Sequence, residues 1–399
     1  MEQRSSGSGT IGVVGAGTMG AGIAQVALEA GERVIIHDPE PGAMARARAR
    51  IADGLVRRRR RISAAGGDAA DPDEPLDRLV EGPDLGALAG SALVIEAVVE
   101  DLDVKRSVFG RLDAIVADDA ILATNTSALG VTAIGAATRH PDRVIGLHFF
   151  NPAPLMALVE VVAPATADPG IVERATDRVT RWGKTTVRTA DTPGFIVNRV
   201  NRPFTLEALA LLETGVGSVA SIDGAVRAAG FPMGPFELMD LVGIDVNLAA
   251  AQAIFAGTSY EPRFRPSLIQ ERLVEAGRLG RKTGEGFYWY GDDGRRLAVA
   301  GAFATEDAGA DADASDEIVD RIVLAVIDEA YRALGDRVAS AGDIDLALRL
   351  GAGHPRGPFA WGAELGGAAA VLDGLDRWRA AGPRFEPAAA LVAAAGRSP

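Results

Sequence analysis

Residues 11–20 have the sequence IGVVGAGTMG, a short apolar run that ends in a glycine-rich turn. A helix-like stretch follows as far as Ala30, and a second apolar run occupies residues 33–37. This succession of strand, glycine turn, helix and strand predicts a βαβ unit. The glycine spacing within such a unit is typical of a dinucleotide-binding turn.

The three glycines of the turn each have a physical role in such a site. Gly15 permits the tight turn, Gly17 lets the backbone approach a pyrophosphate, and Gly20 permits close packing of helix on strand. The N-terminus of the helix adds unpaired N–H groups for the phosphates. Asp38 ends the second strand, where a carboxylate can accept both ribose hydroxyls and repels a 2′-phosphate, so we expect NAD rather than NADP. The alternative is a turn without a ligand and an ordinary surface acid.

Further short β-like runs continue the alternation of strands and helices. They lie at 92–95, 121–124, 144–150, 155–162 and 185–189, with helix-like segments such as 104–116 among them. This alternation predicts an α/β fold with a parallel, doubly wound sheet of the Rossmann type. From residue 193 onward the sequence loses β character and turns to long helical patterns rich in Ala and Leu.

The helical part contains an internal repeat. Glu207-Ala208 recurs as Glu329-Ala330, Ile222-Asp223 recurs as Ile344-Asp345, and the Pro-x-Gly-Pro-Phe motif at 232–236 recurs at 355–359. The shared order and nearly constant offset predict two copies of one all-α domain in tandem; two unrelated Ala-rich bundles are the alternative. We therefore expect a Rossmann-type domain at 1–190, a first helical copy at 191–291, a linker at 292–315 and a second helical copy at 316–399.

The composition excludes several classes of function. The chain has 399 residues, no cysteine and a net charge of −13. Without cysteine there is no thiolate catalysis and no thiolate metal site, and the negative charge argues against general nucleic-acid binding. No apolar run approaches the roughly 20 residues that span a bilayer, and the polar start lacks the apolar core of a signal peptide. We expect a soluble, cytoplasmic protein without a metal, a membrane or a nucleic-acid partner.

One histidine has the placement of a catalytic base. His148 lies at the end of an apolar strand, and ligands of open α/β sheets bind beyond the carboxyl ends of the strands. Glu160 lies inside a second apolar run, where a lone buried carboxylate would be costly without a partner. An imidazole held by a carboxylate has a fixed tautomer and a stabilised protonated form, which suits removal of an alcohol proton during hydride loss. A purely structural histidine is the alternative.

Several motifs, in the same order, resemble those of the 3-hydroxyacyl-CoA dehydrogenase family. They are the glycine turn, EAVVED at 96–101, NTS at 125–127, HFFNP at 148–152, LVEVV at 158–162, DTPGFIVNR at 191–199, PMGPFEL at 232–238 and GRKTGEGFY at 280–288. The resemblance runs from about Ile11 to Tyr290, and the repeat beyond it resembles a second copy of the family's C-terminal helical domain. It implies reversible NAD-dependent oxidation of an L-3-hydroxyacyl-CoA to the 3-oxoacyl-CoA, a reaction type of fatty-acid metabolism and β-oxidation.

By that resemblance, His148 would be the general base and Glu160 its orienting partner. Ser127 and Asn198 would bind the hydroxyl and thioester oxygens of the substrate and complete the catalytic set. The cofactor would be contacted by Gly15, Gly17, Thr18, Met19, Gly20, Asp38, Glu100, Lys105, Asn125, Ser127, Asn151 and Lys282. Each of these polar side chains, taken singly, has a capping or solvated role as its alternative.

The end of the site that would hold CoA is marked by a run of arginines at 57–61. Relatives carry a basic stretch here that contacts CoA, so Arg61 could meet a nucleotide phosphate of the substrate; a solvated basic helix face is the alternative. The sequence departs from the family pattern at Gly54, where a CoA-contacting serine is expected, and in its Gly-, Ala- and Asp-rich loop at 66–75. This departure leaves the acyl carrier open.

Three other functions agree with parts of the pattern. The first keeps the chemistry but acts on a hydroxyacyl group carried by an acyl-carrier protein, or on a free hydroxy acid. The second is a catalytically silent NAD-binding structural protein, which the presence of all four polar site residues disfavours. The third is a β-hydroxyacid dehydrogenase with a catalytic lysine, in which the His-Phe-Phe-Asn-Pro and Leu-Val-Glu motifs would have no role.

The tandem copies also predict an assembly. In relatives with one helical domain, copies from two chains pack into a dimer, so we expect a homodimer or an intramolecular pseudo-dimer. A flexible linker would let the second copy dock on the first at high effective concentration. We expect no second active site, because the second copy lacks a dinucleotide domain and no Pro-Gly-Phe-Ile-Val-Asn motif precedes Asp316. Truncation after Gly291 should then expose the docking surface.

Overall fold

One eight-stranded sheet organises the N-terminal half of the chain in this computed structural model, which describes residues 9–66, 73–304 and 312–396. The strands are β1 (Thr10–Val14), β2 (Val34–His37), β3 (Leu79–Glu81), β4 (Ser91–Glu96), β5 (Ile121–Thr124), β6 (Val144–Phe149), β7 (Leu158–Ala163) and β8 (Thr185–Ala190). Their spatial order is β3-β2-β1-β4-β5-β6-β7-β8. The predicted Rossmann-type, doubly wound fold is confirmed.

Helices connect these strands. They are α1 (Thr18–Glu29), α2 (Ala43–Ala64), α3 (Asp73–Leu76), α4 (Leu102–Asp113), α5 (Val131–Gly135) and α6 (Pro169–Arg181), with 3-10 helices at Leu85–Leu88 and Pro141–Arg143. β5 and β6 are buried along their whole length, as strands in the middle of a sheet are when helices cover it. The site residues that follow these strands are therefore fixed to a rigid core.

The orientation of β7 differs from the all-parallel sheet that the alternation predicts. β7 pairs antiparallel with β6 and parallel with β8. Only residues 150–157 join β6 to β7, and a parallel crossover needs a dozen or more residues, so the chain must turn back. The reversal places the start of β7 beside the carboxyl end of β6. The short edge strand β3 was also not expected from the sequence.

The chain divides into two compact units, Met1–Thr192 and Pro193–Pro399. The second unit contains α7 (Val197–Val200), α8 (Arg202–Glu213), α9 (Val219–Ala228), α10 (Pro235–Val242), α11 (Ile244–Gly257), α12 (Leu268–Glu275), α13 (Ala312–Gly335), α14 (Ala341–Gly351), α15 (Pro358–Glu364), α16 (Ala368–Trp378) and α17 (Ala389–Ala394). Short 3-10 helices lie at Pro262–Phe264, Arg281–Thr283, Gly301–Phe303, Arg379–Ala381 and Pro383–Phe385.

Part of the segment expected as a linker is folded. A hairpin joins β9 (Tyr288–Tyr290) to β10 (Arg296–Val299). After the hairpin, the ring of Phe303 packs on that of Phe287, with 5.2 Å between their centroids. Residues up to Ala304 therefore belong to the first helical copy, and α13 begins at Ala312, earlier than the expected start at 316.

The two helical copies repeat each other in local structure as well as in sequence. In each copy an aspartate accepts two N–H groups from the first turn of the helix that begins with Pro-Phe. In each copy a Cβ on the preceding glycine would meet the aspartate at 2.2 Å, so only glycine fits there. The bonds run from Phe236 N (2.9 Å) and Glu237 N (3.1 Å) to Asp223, and from Phe359 N (2.8 Å) and Ala360 N (3.0 Å) to Asp345.

The copies pack against each other through exchanged buried ion pairs. Glu207 of the first copy accepts hydrogen bonds from two arginines of the second copy. Glu329 of the second copy accepts hydrogen bonds from two arginines of the first copy. The N···O distances are 2.6 Å for Arg321–Glu207, 2.7 Å for Arg384–Glu207, 2.8 Å for Arg199–Glu329 and 2.8 Å for Arg263–Glu329. The members of the two sets correspond in the repeat. The interface is thus isologous, with the same residues contributed from both sides.

Length and apolar composition decide whether a helix among the described residues could cross a bilayer. No single helix there is both long and apolar enough to cross a bilayer. One pair of helices, α10 with α11, meets the length and composition requirement jointly, but the two are bent by 100°.

Candidate active site

The glycine turn after β1 has the geometry that a dinucleotide requires. Gly15 has a φ of +99°, and its N–H donates to the carbonyl of His37 at 2.8 Å. A Cβ on Gly20 would lie 1.9 Å from the carbonyl oxygen of Gly15, whereas a Cβ on Gly17 would meet nothing within 4 Å. Gly17 thus leaves open space at the N-terminus of α1, where N–H groups and the helix dipole favour phosphate. These residues fit a pyrophosphate.

Asp38 is fixed beside this turn. One carboxylate oxygen accepts the N–H of Ala16 at 2.7 Å, and the other accepts that of Glu40 at 2.9 Å. The negative charge is therefore held at the end of β2, next to the open side of the turn. A fixed carboxylate at this place accepts ribose hydroxyls and repels a 2′-phosphate, which fits NAD.

We expect Gly17→Ala to weaken NAD binding without destabilising the fold. The φ of Gly17 is −68°, which alanine adopts freely, and the new methyl group would project into the open space of the turn. The dissociation constant for NAD should rise by roughly tenfold or more, with an unchanged Tm. Gly90→Ala is the matched control, since a Cβ there also meets nothing within 4 Å. Titration calorimetry and thermal melts decide; unchanged NAD affinity would contradict the assignment of Gly17.

A buried ion pair supports the loop that follows β4. Glu96, the last residue of β4, is fully buried and accepts the ammonium of Lys105 at 2.7 Å and the hydroxyl of Thr124 at 2.7 Å. Lys105 is fully buried too and also contacts Glu100 at 3.2 Å. The ammonium of Lys105 is thus not presented to solvent, in contrast to the expected direct contact with the cofactor, which remains a prediction. This role of Glu96 was not predicted from the sequence.

Glu100 organises the turn that carries Ser127. Its carboxylate accepts the hydroxyl of Thr126 at 2.6 Å and the N–H of Ser127 at 2.9 Å. Its partial burial would by itself raise the pKa of Glu100, but the charge of Lys105 and these hydrogen bonds outweigh burial and lower it. Glu100 is therefore ionised at neutral pH. Ser127 lies exposed at the carboxyl end of β5.

The structure confirms contact between His148 and Glu160. The two residues are register partners on β6 and β7, and Nδ1 of His148 lies 2.6 Å from Oε2 of Glu160. His148 is 5% exposed and Glu160 is fully buried. A carboxylate at Nδ1 fixes the tautomer in which Nε2 is the basic nitrogen. The antiparallel turn of the chain between β6 and β7 is what brings this pair together.

Two further polar residues, Lys184 and Asp191, fix connections within the first unit. The ammonium of Lys184 donates to the carbonyls of Ala153 (2.6 Å) and Met156 (2.8 Å), which ties down the connection from β6 to β7. Burial lowers the pKa of Lys184. Asp191 accepts the N–H groups of Val131 (2.9 Å) and Thr132 (2.7 Å) and so caps α5. Neither role was predicted from the sequence, because each depends on contact with a distant segment.

The remaining expected site residues are placed as follows. Asn125 Oδ1 accepts the N–H of Phe149 at 2.9 Å and links the ends of β5 and β6. Thr18 and Met19 form the first turn of α1, and Asn151 is exposed in the loop after β6. Asn198, on α7, and Lys282 belong to the second unit. There Lys282 forms an ion pair with Asp245 at 2.6 Å, and this bond outweighs burial and lowers the pKa of Asp245.

The basic run at 57–61 is exposed on the last turns of α2. Arg58 pairs with Glu29 at 2.5 Å, and Arg61 lies on the exposed surface. Gly54, where the family pattern has serine, packs against Gln25: a Cβ would lie 2.1 Å from Oε1 of this buried side chain. A serine at position 54 would therefore require the terminal amide of Gln25 to move.

Two models of one protein family match this chain. The model of the 3-hydroxyacyl-CoA dehydrogenase NAD binding domain matches residues 10–192, and that of the C-terminal domain of the same family matches 194–290 and 318–393. The chain belongs to the 3-hydroxyacyl-CoA dehydrogenase family. The predicted family, NAD cofactor and NAD-dependent 3-hydroxyacyl-CoA dehydrogenase activity are thereby confirmed, and so is the second copy of the C-terminal domain.

Individual relatives of the family differ in how much of this chain they match. The 3-hydroxyadipyl-CoA dehydrogenase of Escherichia coli is 38% identical over 90% of this chain and 91% of its own length. The 3-hydroxybutyryl-CoA dehydrogenase of Mycobacterium tuberculosis is 42% identical over 70% of this chain and 98% of its own length. The crystal structure of 3-hydroxybutyryl-CoA dehydrogenase from Escherichia coli K12 matches with a TM-score of 0.86 and 36% identity, over 98% of both chains. The Escherichia coli proteins thus extend over both helical copies.

Proposed function

We propose that His148 is the general base of an L-3-hydroxyacyl-CoA dehydrogenase and that Glu160 positions it. The observation that carries this proposal is the bond of 2.6 Å between Nδ1 of His148 and the fully buried carboxylate of Glu160. Because Nδ1 donates to Glu160, Nε2 of the imidazole is the atom that takes the proton from the substrate hydroxyl. Glu160 is then placed to stabilise the protonated ring that forms during the reaction.

The other residues of the site orient the reacting groups. The chemistry that NAD supplies when bound is acceptance of the hydride from C3 of the substrate. Gly15, Gly17 and Asp38 would hold the pyrophosphate and ribose of NAD, and the ionised Glu100 fixes the turn of Ser127. Ser127 and Asn198 are proposed to donate to the hydroxyl and thioester oxygens, and Arg61 to contact the nucleotide of CoA.

The substrate that we propose is a short 3-hydroxyacyl-CoA, with 3-hydroxyadipyl-CoA as the first candidate. The Escherichia coli relative of that name matches both helical copies of this chain, whereas the Mycobacterium tuberculosis relative named for 3-hydroxybutyryl-CoA matches 70% of it. The family acts on CoA thioesters, which favours CoA over a carrier protein or a free acid.

An assay of NADH formation tests the substrate class. We expect the CoA ester of a 3-hydroxy acid to be oxidised with a kcat/KM at least about a hundredfold above that of the free acid, because binding of the remote nucleotide contributes to transition-state stabilisation. The same acyl group bound to an acyl-carrier protein is assayed in parallel, which shows whether the enzyme distinguishes CoA from a carrier protein. Equal turnover of carrier-bound and CoA substrates, or turnover of the free acid alone, would contradict the proposal.

The second helical copy is proposed to take the place of a partner subunit's domain. The exchanged pairs of Glu207 and Glu329 have the isologous arrangement of a symmetric dimer, yet both sides belong to one chain. The second copy also carries a counterpart of the Ile-Val-Asn-Arg motif, at 318–321, where Asp320 replaces Asn198. Asp320 is bound by Arg377 (2.9 Å) and by the indole of Trp378 (2.8 Å), which fits a structural role.

A further inference from the structure

One buried arginine in the second unit has no carboxylate partner. Within the described ranges five arginines are buried, and four of them pair with acids: Arg143 with Asp113, Arg178 with Glu32, Arg199 with Glu329 and Arg321 with Glu207. Arg202 is the exception. It is 5% exposed, and its hydrogen bonds are two long ones from one guanidinium nitrogen to Asn247, at 3.3 and 3.4 Å.

The surroundings of Arg202 are polar but incompletely satisfied. Its Nε is buried without a hydrogen-bond partner, and so is Oε1 of Gln270, a fully buried residue whose amide donates to Asn247 at 2.8 Å. Burial lowers the pKa of Arg202 to about 10, so the group is still charged at neutral pH. A buried cation without a counterion is costly, and proteins normally pair such a charge.

Packing of the helices does not require an arginine at this position. The corresponding residue of the second copy is Leu324, which is buried in α13 as Arg202 is in α8. An apolar side chain therefore fits the same place in the repeated unit. The charge of Arg202 is thus absent from the second copy, which also has Asp320 in place of Asn198.

Arg202 lies one helical turn after Asn198, the residue proposed to bind the thioester or hydroxyl oxygen. Helical hydrogen bonds run through this segment, from Val200 N to Ile196 O and from Asn201 N to Val197 O. Side chains four residues apart on a helix have Cβ atoms about 5–6 Å apart and lie on the same face. The side chains of Asn198 and Arg202 therefore start from neighbouring positions of this segment.

We propose that Arg202 binds the terminal carboxylate of a dicarboxylic 3-hydroxyacyl-CoA and so determines specificity for an anionic acyl chain. In a six-carbon diacid, three bonds separate C3 from the terminal carboxylate, a span of about 3.6 Å when extended, as in one residue of extended backbone. A diacid substrate bound through its C3 end by Asn198 would present this carboxylate to the side chain of Arg202. The carboxylate would give the buried guanidinium its missing counterion. This inference rests on the proposed oxidation of 3-hydroxyacyl-CoA.

The test compares two substrates that differ in the terminal group alone, 3-hydroxyadipyl-CoA and 3-hydroxyhexanoyl-CoA. The wild-type enzyme should prefer the diacid substrate by tenfold or more in kcat/KM. Arg202→Met should lower kcat/KM for 3-hydroxyadipyl-CoA by roughly a hundredfold, the scale for removing one partner of a buried charge pair, and change that for 3-hydroxyhexanoyl-CoA by less than about threefold. Inhibition by adipyl-CoA and hexanoyl-CoA, which lack the hydroxyl, should show the same selective loss.

Controls separate the specificity role from a structural one. Arg202→Met should keep or raise the Tm, because it removes a buried charge that has no acid partner. If the methionine variant does not fold, Arg202→Gln replaces it, and the ratio of kcat/KM for 3-hydroxyadipyl-CoA to kcat/KM for 3-hydroxyhexanoyl-CoA is measured in the same way. Arg272→Met, at an exposed arginine of α12, should leave the ratio unchanged. Equal losses on both substrates, or a wild-type enzyme without preference for the diacid, would overturn the role of Arg202. Turnover of neither substrate would refute the proposed function instead.

Discussion

Replacement of His148 by glutamine is expected to lower kcat by roughly a hundredfold or more, the usual scale for loss of a general base. The amide of glutamine cannot take a proton from the substrate hydroxyl at neutral pH. NAD binding should persist, because the glycine turn and Asp38 lie at the ends of other strands, β1 and β2. Steady-state kinetics with a 3-hydroxyacyl-CoA and NAD, together with NAD titration, measure the two effects separately.

Glu160→Gln should lower kcat by acting through the imidazole. The amide keeps the shape of the side chain but removes the charge that stabilises protonated His148, so transfer of the hydroxyl proton to the imidazole becomes less favourable. In the double variant, the second substitution should lower kcat by a much smaller factor than it does in the wild type, because both residues act on one proton transfer. Losses that multiply would mean that the two residues act independently.

His140→Gln is the matched control for the histidine substitution. His140 lies half-buried before the 3-10 helix Pro141–Arg143, away from the strand ends that carry the site, and should keep near-normal kcat. Near-normal turnover of His148→Gln itself would remove His148 from the mechanism. Solvent access is limited at His148, which is 5% exposed, so rescue of activity by added imidazole is not expected.

The sequence predicted those parts of the site that depend on local backbone geometry. Gly15 needs a positive φ and Gly20 needs close contact with a backbone carbonyl, and glycine alone meets both requirements, so spacing identifies them. The pairing of His148 with Glu160 was predictable because a lone carboxylate inside an apolar strand needs a partner. These inferences rest on the costs of strain and of buried charge.

The parts that the sequence did not predict depend on contacts between distant segments. Glu96 meets Lys105 and Thr124, and Lys184 meets the loop after β6, through side chains that are unexceptional in sequence. The antiparallel course of β7 follows from the length of one connection, which apolar patterning does not report. The segment expected as a linker is low in periodicity, yet β10 within it is held by pairing with β9.

Removal of the second helical copy should convert the chain into a dimer or an aggregate. The hairpin of β9 and β10 and the contact of Phe303 with Phe287 belong to the first copy, so the informative truncation ends at Ala304 rather than at Gly291. The cut removes α13, which packs against α8, and leaves Arg199, Arg263 and Glu207 without their partners. Since the interface is isologous, two truncated chains can form the corresponding pairs with each other, in which Arg199 and Arg263 of one chain meet Glu207 of the other.

Light scattering and thermal melts on both chains measure this outcome. The full-length chain should not associate through the surface of its first copy that packs on the second copy. Its own second copy occupies that surface at high effective concentration. The truncated chain should show a larger mass that depends on concentration, and a lower Tm. A truncated chain that stays a well-folded monomer with unchanged activity would show that the second copy is an independent appendage.

Glu329→Gln in the full-length chain should lower the Tm, although both copies remain on one chain. The substitution leaves the buried Arg199 and the half-buried Arg263 at the interface with one carboxylate fewer. Breaking a buried pair by removing one partner costs about 3–5 kcal/mol. Arg199 keeps its contact with the exposed Asp336, so the loss should lie toward the lower end of that range. Glu275→Gln, at an exposed acid of α12, is the matched control and should leave the Tm unchanged. An equal Tm for both variants would mean that the exchanged ion pairs do not hold the two copies together.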